Sequence, residues 1–248
     1  MRLPTFRILR SLKFKPVRYH ISRTFSSDNV QTKINEEKLA GDPSLIEFLP
    51  SWKEDEEVEL RARVTRDMQV LPDFVTEEEE ASLLAELEPV LKRMRYEFDH
   101  WDNAIQGFRE TERSTWNEAN SKVLARVRDV AFASPAVGEP LPHTHVLDLA
   151  AAGFIKPHVD AVRFCGGVIA GLCLASGAVM RLRHEQHQHL ALDALIDRRC
   201  LYIMRGTARY DFNHAVLGGE ESAWRGQKLP RRRRIAVITR SKPDKHEQ

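Results

Sequence analysis

The segment KPHVD at 156–160 sets an imidazole, His158, and a carboxylate, Asp160, two residues apart, close to the apolar run from Val168 to Met180. On a strand, residues i and i+2 point to one face, with Cα atoms roughly 6.6 Å apart at about 3.3 Å per residue. A His and an Asp so spaced can close on one metal ion from the same side. His214, in RYDFNHAV, offers a third ligand from a later strand. Two histidines and one carboxylate match the facial triad of non-haem Fe(II) oxygenases, which keeps positions open for other ligands.

Those positions need occupants. In this chemistry a keto acid chelates iron through its keto and carboxylate oxygens, and O2 takes the remaining place. The far carboxylate then needs a cation. RIAVITR at 234–240 supplies Arg234 and Arg240, six apart and so on one face of a strand, with Ala236 and Ile238 between them. A guanidinium holds a carboxylate in a planar fork, which a Lys cannot do. Tyr202, in CLYIM, adds a hydroxyl to the same carboxylate. His-x-Asp alone is a weak signal, and RRRR at 231–234 alone reads as a solvated charge run. The ordered combination points to Fe(II), 2-oxoglutarate and O2.

Two other groups carry blander readings. HEQHQH holds His184, His187 and His189, but in a polar stretch of turn character. Cys165 and Cys173 read as core thiols. With Cys200 they make an odd count without close pairs, against a disulfide framework or a zinc ribbon, and suit a reducing compartment.

The elements that position these residues read as α+β. Thr76 and Glu79 form a capping-box pattern, followed by Leu83, Leu84, Leu87, Val90 and Leu91 at helical spacing, with Pro89 a point of kinking or shortening. YEFDHWD at 96–102 alternates like a strand. WNEANSKVLARVRDVAFAS reads as a second helix, with Val123, Leu124, Val127 and Val130 on one face. From His143 onward, eight short apolar runs separated by turns suggest a jelly roll behind two flanking helices.

The 248 residues are 42% hydrophobic and 30% charged, as in a globular protein, and no run reaches the ~20 apolar residues of a transmembrane helix. Residues 1–27 carry seven basic residues and no acidic one. The remainder holds 31 basic against 36 acidic residues, a formal −5. Such a start has the character of a mitochondrial presequence, with cleavage expected after Phe25. The expected organisation is a presequence over 1–25, a linker and irregular lead-in over 26–66, in part helical, a catalytic domain over 67–241, and a polar tail over 242–248.

With these motifs assembled, residues 70–240 resemble the AlkB family of iron- and 2-oxoglutarate-dependent dioxygenases. LPDFVTEEEEASLLAELEP is similar to the family's opening segment, KPHVD to its first ligand pair, GTARYDFNHAV to its second histidine motif and RRIAVITR to its arginine strand. YEFDHWD, GFIKPHVD and FCGGVIAGLCLASGAVMRL resemble a mitochondrial branch. The resemblance implies a double-stranded β-helix, iron held by His158, Asp160 and His214, and 2-oxoglutarate contacts from Tyr202, Arg234 and Arg240. It also implies a matrix location and a link to programmed necrosis and fatty-acid metabolism. Ala236 is apolar where nucleic-acid repair members often carry a polar residue.

Demethylating members carry an aromatic and basic lid that grips a flipped base. The stretch 133–157 before the first ligand offers only Phe154, Lys156 and histidines. The expectation is therefore hydroxylation of a protein side chain, with no DNA partner. One alternative is demethylation of mitochondrial RNA, with Lys228 to Arg234 meeting phosphates. Another is a non-catalytic interaction module that keeps its metal for stability. The oligomeric state is left open.

Overall fold

A computed structural model describes residues 41–98, 100, 103–134 and 138–243. The expected presequence, the first part of the lead-in and most of the polar tail lie outside the described residues. In chain order the elements are β1 (Ile46–Phe48), α1 (Val58–Asp67), β2 (Met68–Leu71), α2 (Glu77–Leu91), β3 (Ile105–Arg113), α3 (Glu118–Ala131) and β4 (Thr144–His158). Then come β5 (Val168–Leu174), β6 (Ala178–His184), β7 (Ala191–Ile196), β8 (Leu201–Arg205), α4 (Gly206–Tyr210), β9 (Phe212–Val216), β10 (Ala223–Trp224), β11 (Gln227–Lys228) and β12 (Arg234–Arg240).

One antiparallel sheet runs β1-β7-β6-β9-β4-β12-β5-β8-β2, and β3 pairs with β4 off this path. It curls because β4 belongs to both layers. The early part of β4 pairs with β12, from His145↔Ile238 to Leu149↔Arg234, while its end pairs with β9 at His158↔His214. The result is the expected jelly roll with its flanking helices.

Alternation along β12 decides what faces the interior. Ala236 and Ile238 join the inner cluster with Ile169, Cys173, Tyr202 and Met204. Ile235 and Val237 point outward, against Leu83, Leu87 and Leu91 of α2 and Val123 and Leu124 of α3. Each such buried aliphatic side chain contributes about 1.5–3 kcal/mol. Helix α2 starts where its capping box requires: Thr76 Oγ1 accepts from Glu79 N at 3.2 Å, and Glu79 Oε2 accepts from Thr76 N at 3.0 Å. Pro89 falls close to the C-terminal end, and the helix runs on to Leu91.

Three local expectations differ from the fold. YEFDHWD forms no extended strand among its described residues. Glu97 makes one bridge to Phe108, and Tyr96 turns its hydroxyl to Asp148 at 3.1 Å. The strand is β3 instead, where Gly107 (φ +66°) makes a bulge and a Cβ on Gly153 would stand 2.5 Å from the Gly107 carbonyl oxygen. The lead-in before residue 67 is also more ordered than its composition implies. Strand β1 extends the sheet beside β7, and Trp52, 2% exposed, stacks on Phe212. Finally, HTHVLDLA and GFIKPHVDA are one strand rather than two, ending at His158.

Candidate active site

His158 is the last residue of β4, and His214 sits directly opposite it in β9. Asp160 lies two residues beyond the end of β4, so the loop rather than the strand pleat brings it to its neighbours. Asp160 Oδ1 is 3.2 Å from His158 Nε2 and 3.8 Å from His214 Nε2. One ligand atom from each of the three lies within 4.8 Å of the others. Among the described residues they form the metal-capable cluster.

The surroundings prepare each group. His158 Nδ1–H donates to the Lys156 carbonyl at 3.0 Å, which orients the ring with Nε2 toward Asp160 and His214. Burial, and then the His158 ring, push His214 down to about 3, so its ring is neutral at ordinary pH. Burial works against ionisation of Asp160. Arg240 and the two imidazoles outweigh it and hold the carboxyl well below the usual range. Arg240 Nε donates to Asp160 Oδ2 at 2.8 Å, so Oδ1 is the oxygen left toward the histidines.

Above this triad opens a cavity of about 1050 Å³, with His158, Asp160 and Arg240 in its lining. Its wall is a hydrogen-bonded chain. Arg240 Nη1 donates to His145 Nδ1 at 3.1 Å, His145 Nε2–H donates to Glu110 Oε2 at 2.7 Å, and His100 Nε2 lies 3.3 Å from Glu110 Oε1. The hydrogen bond from His145 holds the Glu110 carboxyl below its ordinary value, against burial. Phe164, 56% exposed, and Arg163 stand at the rim.

Arg234 and Tyr202 do not line that cavity. Both are buried in the jelly-roll interior. The Tyr202 ring covers Gly171, and burial pushes its hydroxyl up to about 12, keeping it a donor. Arg234 Nη2 donates to Cys173 Sγ at 3.0 Å, and its buried Nε has no hydrogen-bond partner among the described residues. Arg234 and Arg240 stand six positions apart on β12, about 20 Å along a strand. The two arginines therefore cannot both grip one carboxylate. Arg240 serves the metal end, and Arg234 stands deep at the other.

Cys173 is the core thiol expected, but its contact with Arg234 was not foreseen from the sequence. Burial would raise its pKa, but the Cys200 S–H and the Arg234 guanidinium bring it down to about 7. His145 and Glu110 were also missed. Their signal was alternation alone: His145 sits in the register of β12 opposite Ile238.

No protein-family model matches the chain. It is 48% identical over 194 residues to the mitochondrial alpha-ketoglutarate-dependent dioxygenase alkB homolog 7 of Mus musculus, covering 78% of this chain and 87% of the relative. It is 52% identical over 176 residues to the Bos taurus protein of the same name, covering 71% and 78%. The chain belongs to the AlkB family of alpha-ketoglutarate-dependent dioxygenases. A prolyl hydroxylase solved with a hypoxia-inducible-factor peptide fragment, from Trichoplax adhaerens, shares the fold of this AlkB chain. Its TM-score is 0.55 at 11% identity, over 89% of this chain and 94% of that one.

As a mitochondrial AlkB-family dioxygenase the protein is an oxidoreductase that uses Fe(II), 2-oxoglutarate and O2. The residues present fit those groups. Two imidazoles and one carboxylate are the donor set of a non-haem Fe(II) centre. A buried guanidinium with an unpartnered Nε suits an incoming carboxylate.

Proposed function

We propose that His158, Asp160 and His214 hold the iron, that Arg234 and Tyr202 anchor the far carboxylate of 2-oxoglutarate, and that the substrate is a protein side chain in the mitochondrial matrix. Iron loaded with the keto acid supplies the oxidation: R–H, 2-oxoglutarate and O2 become R–OH, succinate and CO2. The chain's own residues orient this chemistry. His158, Asp160 and His214 would hold the metal, and Arg234 and Tyr202 in the jelly-roll interior would hold the far carboxylate of the keto acid. Arg240 neutralises the Asp160 oxygen that does not face the histidines, and His145 and Glu110 fix Arg240 in turn.

The observation that carries the substrate reading is the fate of the basic run. Arg233 is bidentate to Asp148 at 3.0 and 2.7 Å and also pairs with Glu88. Arg234 is buried, Arg231 reaches the Gly153 carbonyl at 3.4 Å, and Lys228 pairs with Glu220 at 2.6 Å. Of RRRR, Arg232 alone is classed as exposed. With Arg231, Arg233 and Arg234 held internally, and only Lys228 and Arg232 exposed, the run makes a poor phosphate track. The exposed Val162 and Phe164 at and beside the cavity mouth suit an extended segment of another protein.

The test is a side-by-side assay with matrix protein extract and methylated mitochondrial tRNA. A peptide oxidised by the wild type and not by Asp160→Ala supports the proposal. RNA demethylation that depends on Asp160, with no oxidised peptide, transfers the assignment to RNA. Absence of 2-oxoglutarate turnover with either substrate would favour a metal-stabilised interaction module. The matrix location predicts that protein isolated from mitochondria begins within a few residues of Ser26. Links to programmed necrosis and fatty-acid metabolism belong to the same reading, and cells carrying only Asp160→Ala are the material in which to look for both.

A further inference from the structure

Asp160 lies beyond the last residue of β4, so the sheet ladder does not fix its main chain. Its carbonyl instead accepts from Arg209 Nη2 at 2.7 Å. The same nitrogen reaches the Cys165 carbonyl at 3.1 Å, and Arg209 Nε donates to the Gly166 carbonyl at 3.3 Å. One guanidinium thus ties both feet of the loop 160–166 together. Arg209 is 1% exposed, its Nη1 is buried without a partner, and no carboxylate among the described residues pairs with it. Burying a cation in this way is costly. Its hydrogen bonds go to the loop that carries a metal ligand at one end and the cavity rim, Arg163 and Phe164, in the middle.

The support for Arg209 continues outward. Arg209 belongs to α4, a single turn immediately before β9 and His214. Asp67, buried at the end of α1, accepts from Thr207 N at 3.0 Å and so pins the start of that turn. Gly206 there has φ +47°, and a Cβ on it would stand 2.7 Å from Asp67 Oδ2. The residue must be glycine for the carboxylate to approach so closely.

We infer that Arg209 is a positioning residue for the metal centre, clamping the loop 160–166 so that Asp160 meets His158 and His214, with Asp67 anchoring the clamp from α1. This inference rests on the reading of His158, Asp160 and His214 as the metal ligands. It is independent of which substrate is oxidised.

The experiment measures Mn(II) binding, as a redox-stable stand-in for Fe(II), by electron paramagnetic resonance of the full chain. Hydrogen exchange is followed over the amides of 161–166. Lysine keeps the charge of Arg209 but cannot fork across two feet of a loop. In Arg209→Lys the Mn(II) Kd should rise at least about tenfold, as when groups that orient a ligand are lost. Exchange in 161–166 should quicken while the rest of the sheet stays protected. A purely structural Arg209 would lower Tm and leave the Kd of the folded protein unchanged, which overturns the inference. Asp67→Asn should shift both readouts in the same direction by less. It decides the matter if Arg209→Lys does not fold, and wild-type values for it then overturn the clamp. Asp160→Ala is the control for the underlying reading: wild-type Mn(II) affinity in that variant would sink the triad itself, whereas its loss beside an unaffected Arg209→Lys would sink the clamp alone.

Discussion

His158 and His214 face each other across the β4–β9 pairing, their ring centroids 4.3 Å apart and the planes tilted by 46°. Imidazoles bind a metal through neutral nitrogens, so two of them held this close bring no negative charge to attract a cation. The third group, Asp160, supplies it, and its own counter-ion is Arg240.

Asp160→Ala should therefore act twice. It removes the anionic ligand, so Fe(II)-dependent formation of succinate should fall to background. It also leaves Arg240 beside the histidines without its carboxylate. In metal-free protein that should lower stability by roughly 2–3 kcal/mol, toward the low end for breaking a buried pair, since the Arg240 side chain keeps some exposure. Urea denaturation with chelator present checks this. An unchanged midpoint would mean that Arg240 finds another partner.

Tyr202 sets a pH dependence at the alkaline end. Its hydroxyl ionises at about 12 in the fold, against an ordinary 10.0. Below pH 10 both folded and unfolded chains keep the proton and the stabilisation is complete. Between about 10 and 12 the unfolded chain releases it first, so stability falls as pH rises. The loss is at most about 2–3 kcal/mol for a shift of this size. Tyr202→Phe should flatten that part of the profile, compared by denaturation at pH 9 and pH 11.5. Across the neutral range the hydroxyl stays a donor, as binding a carboxylate requires.

Arg234→Lys tests the deep end of β12. The ammonium keeps the charge and loses the planar fork. The KM for 2-oxoglutarate should rise about tenfold or more, the loss of roughly 1.5–3 kcal/mol expected of a hydrogen bond to a charged group. Mn(II) affinity should change little, because Arg240 and not Arg234 touches the triad. A KM that stays put would assign the keto acid to another cation.

How much of this was legible in the sequence differs from residue to residue. His158, Asp160 and His214, which the fold brings together, were readable only as a combination: His-x-Asp alone is weak, and the distant His followed by the two arginines gave it weight. The arginines were readable as one face of β12, since alternation fixes the face. Alternation says nothing of what stands at each end of a strand, so the different partners of Arg234 and Arg240, Cys173 and Asp160, were hidden. Strand β3 was hidden for a related reason. Its Arg109 is buried through Asp148, 2.7 Å away and 39 residues downstream, a pairing no local pattern reveals. YEFDHWD has the alternation of a strand but, among its described residues, gains only the single bridge to β3. Cys173 is a core thiol opposite Ala236 of β12, and nothing local in the sequence shows that the Arg234 guanidinium folds back to it.

Gly171 gives the sharpest test of the interior geometry. It lies in β5, opposite Tyr202 of β8 and Ile238 of β12. A Cβ built on it would come within 2.2 Å of Tyr202 Cζ and 2.4 Å of the hydroxyl oxygen. No rotation of a rigid aromatic ring in a filled core absorbs that overlap, so Gly171→Ala must move Tyr202 or part the strands. Overpacking of this kind costs about 1–3 kcal/mol. The larger effect should fall on the keto acid: displacing the ring takes the hydroxyl away from the side of Arg234. The expected result is a folded protein with near-normal Mn(II) affinity and a 2-oxoglutarate KM raised as in Tyr202→Phe or more. The double variant Gly171→Ala with Tyr202→Phe should add little to the KM of either, because both remove the same donor. Independent, multiplying effects of the two substitutions would place the Tyr202 hydroxyl outside the keto-acid site.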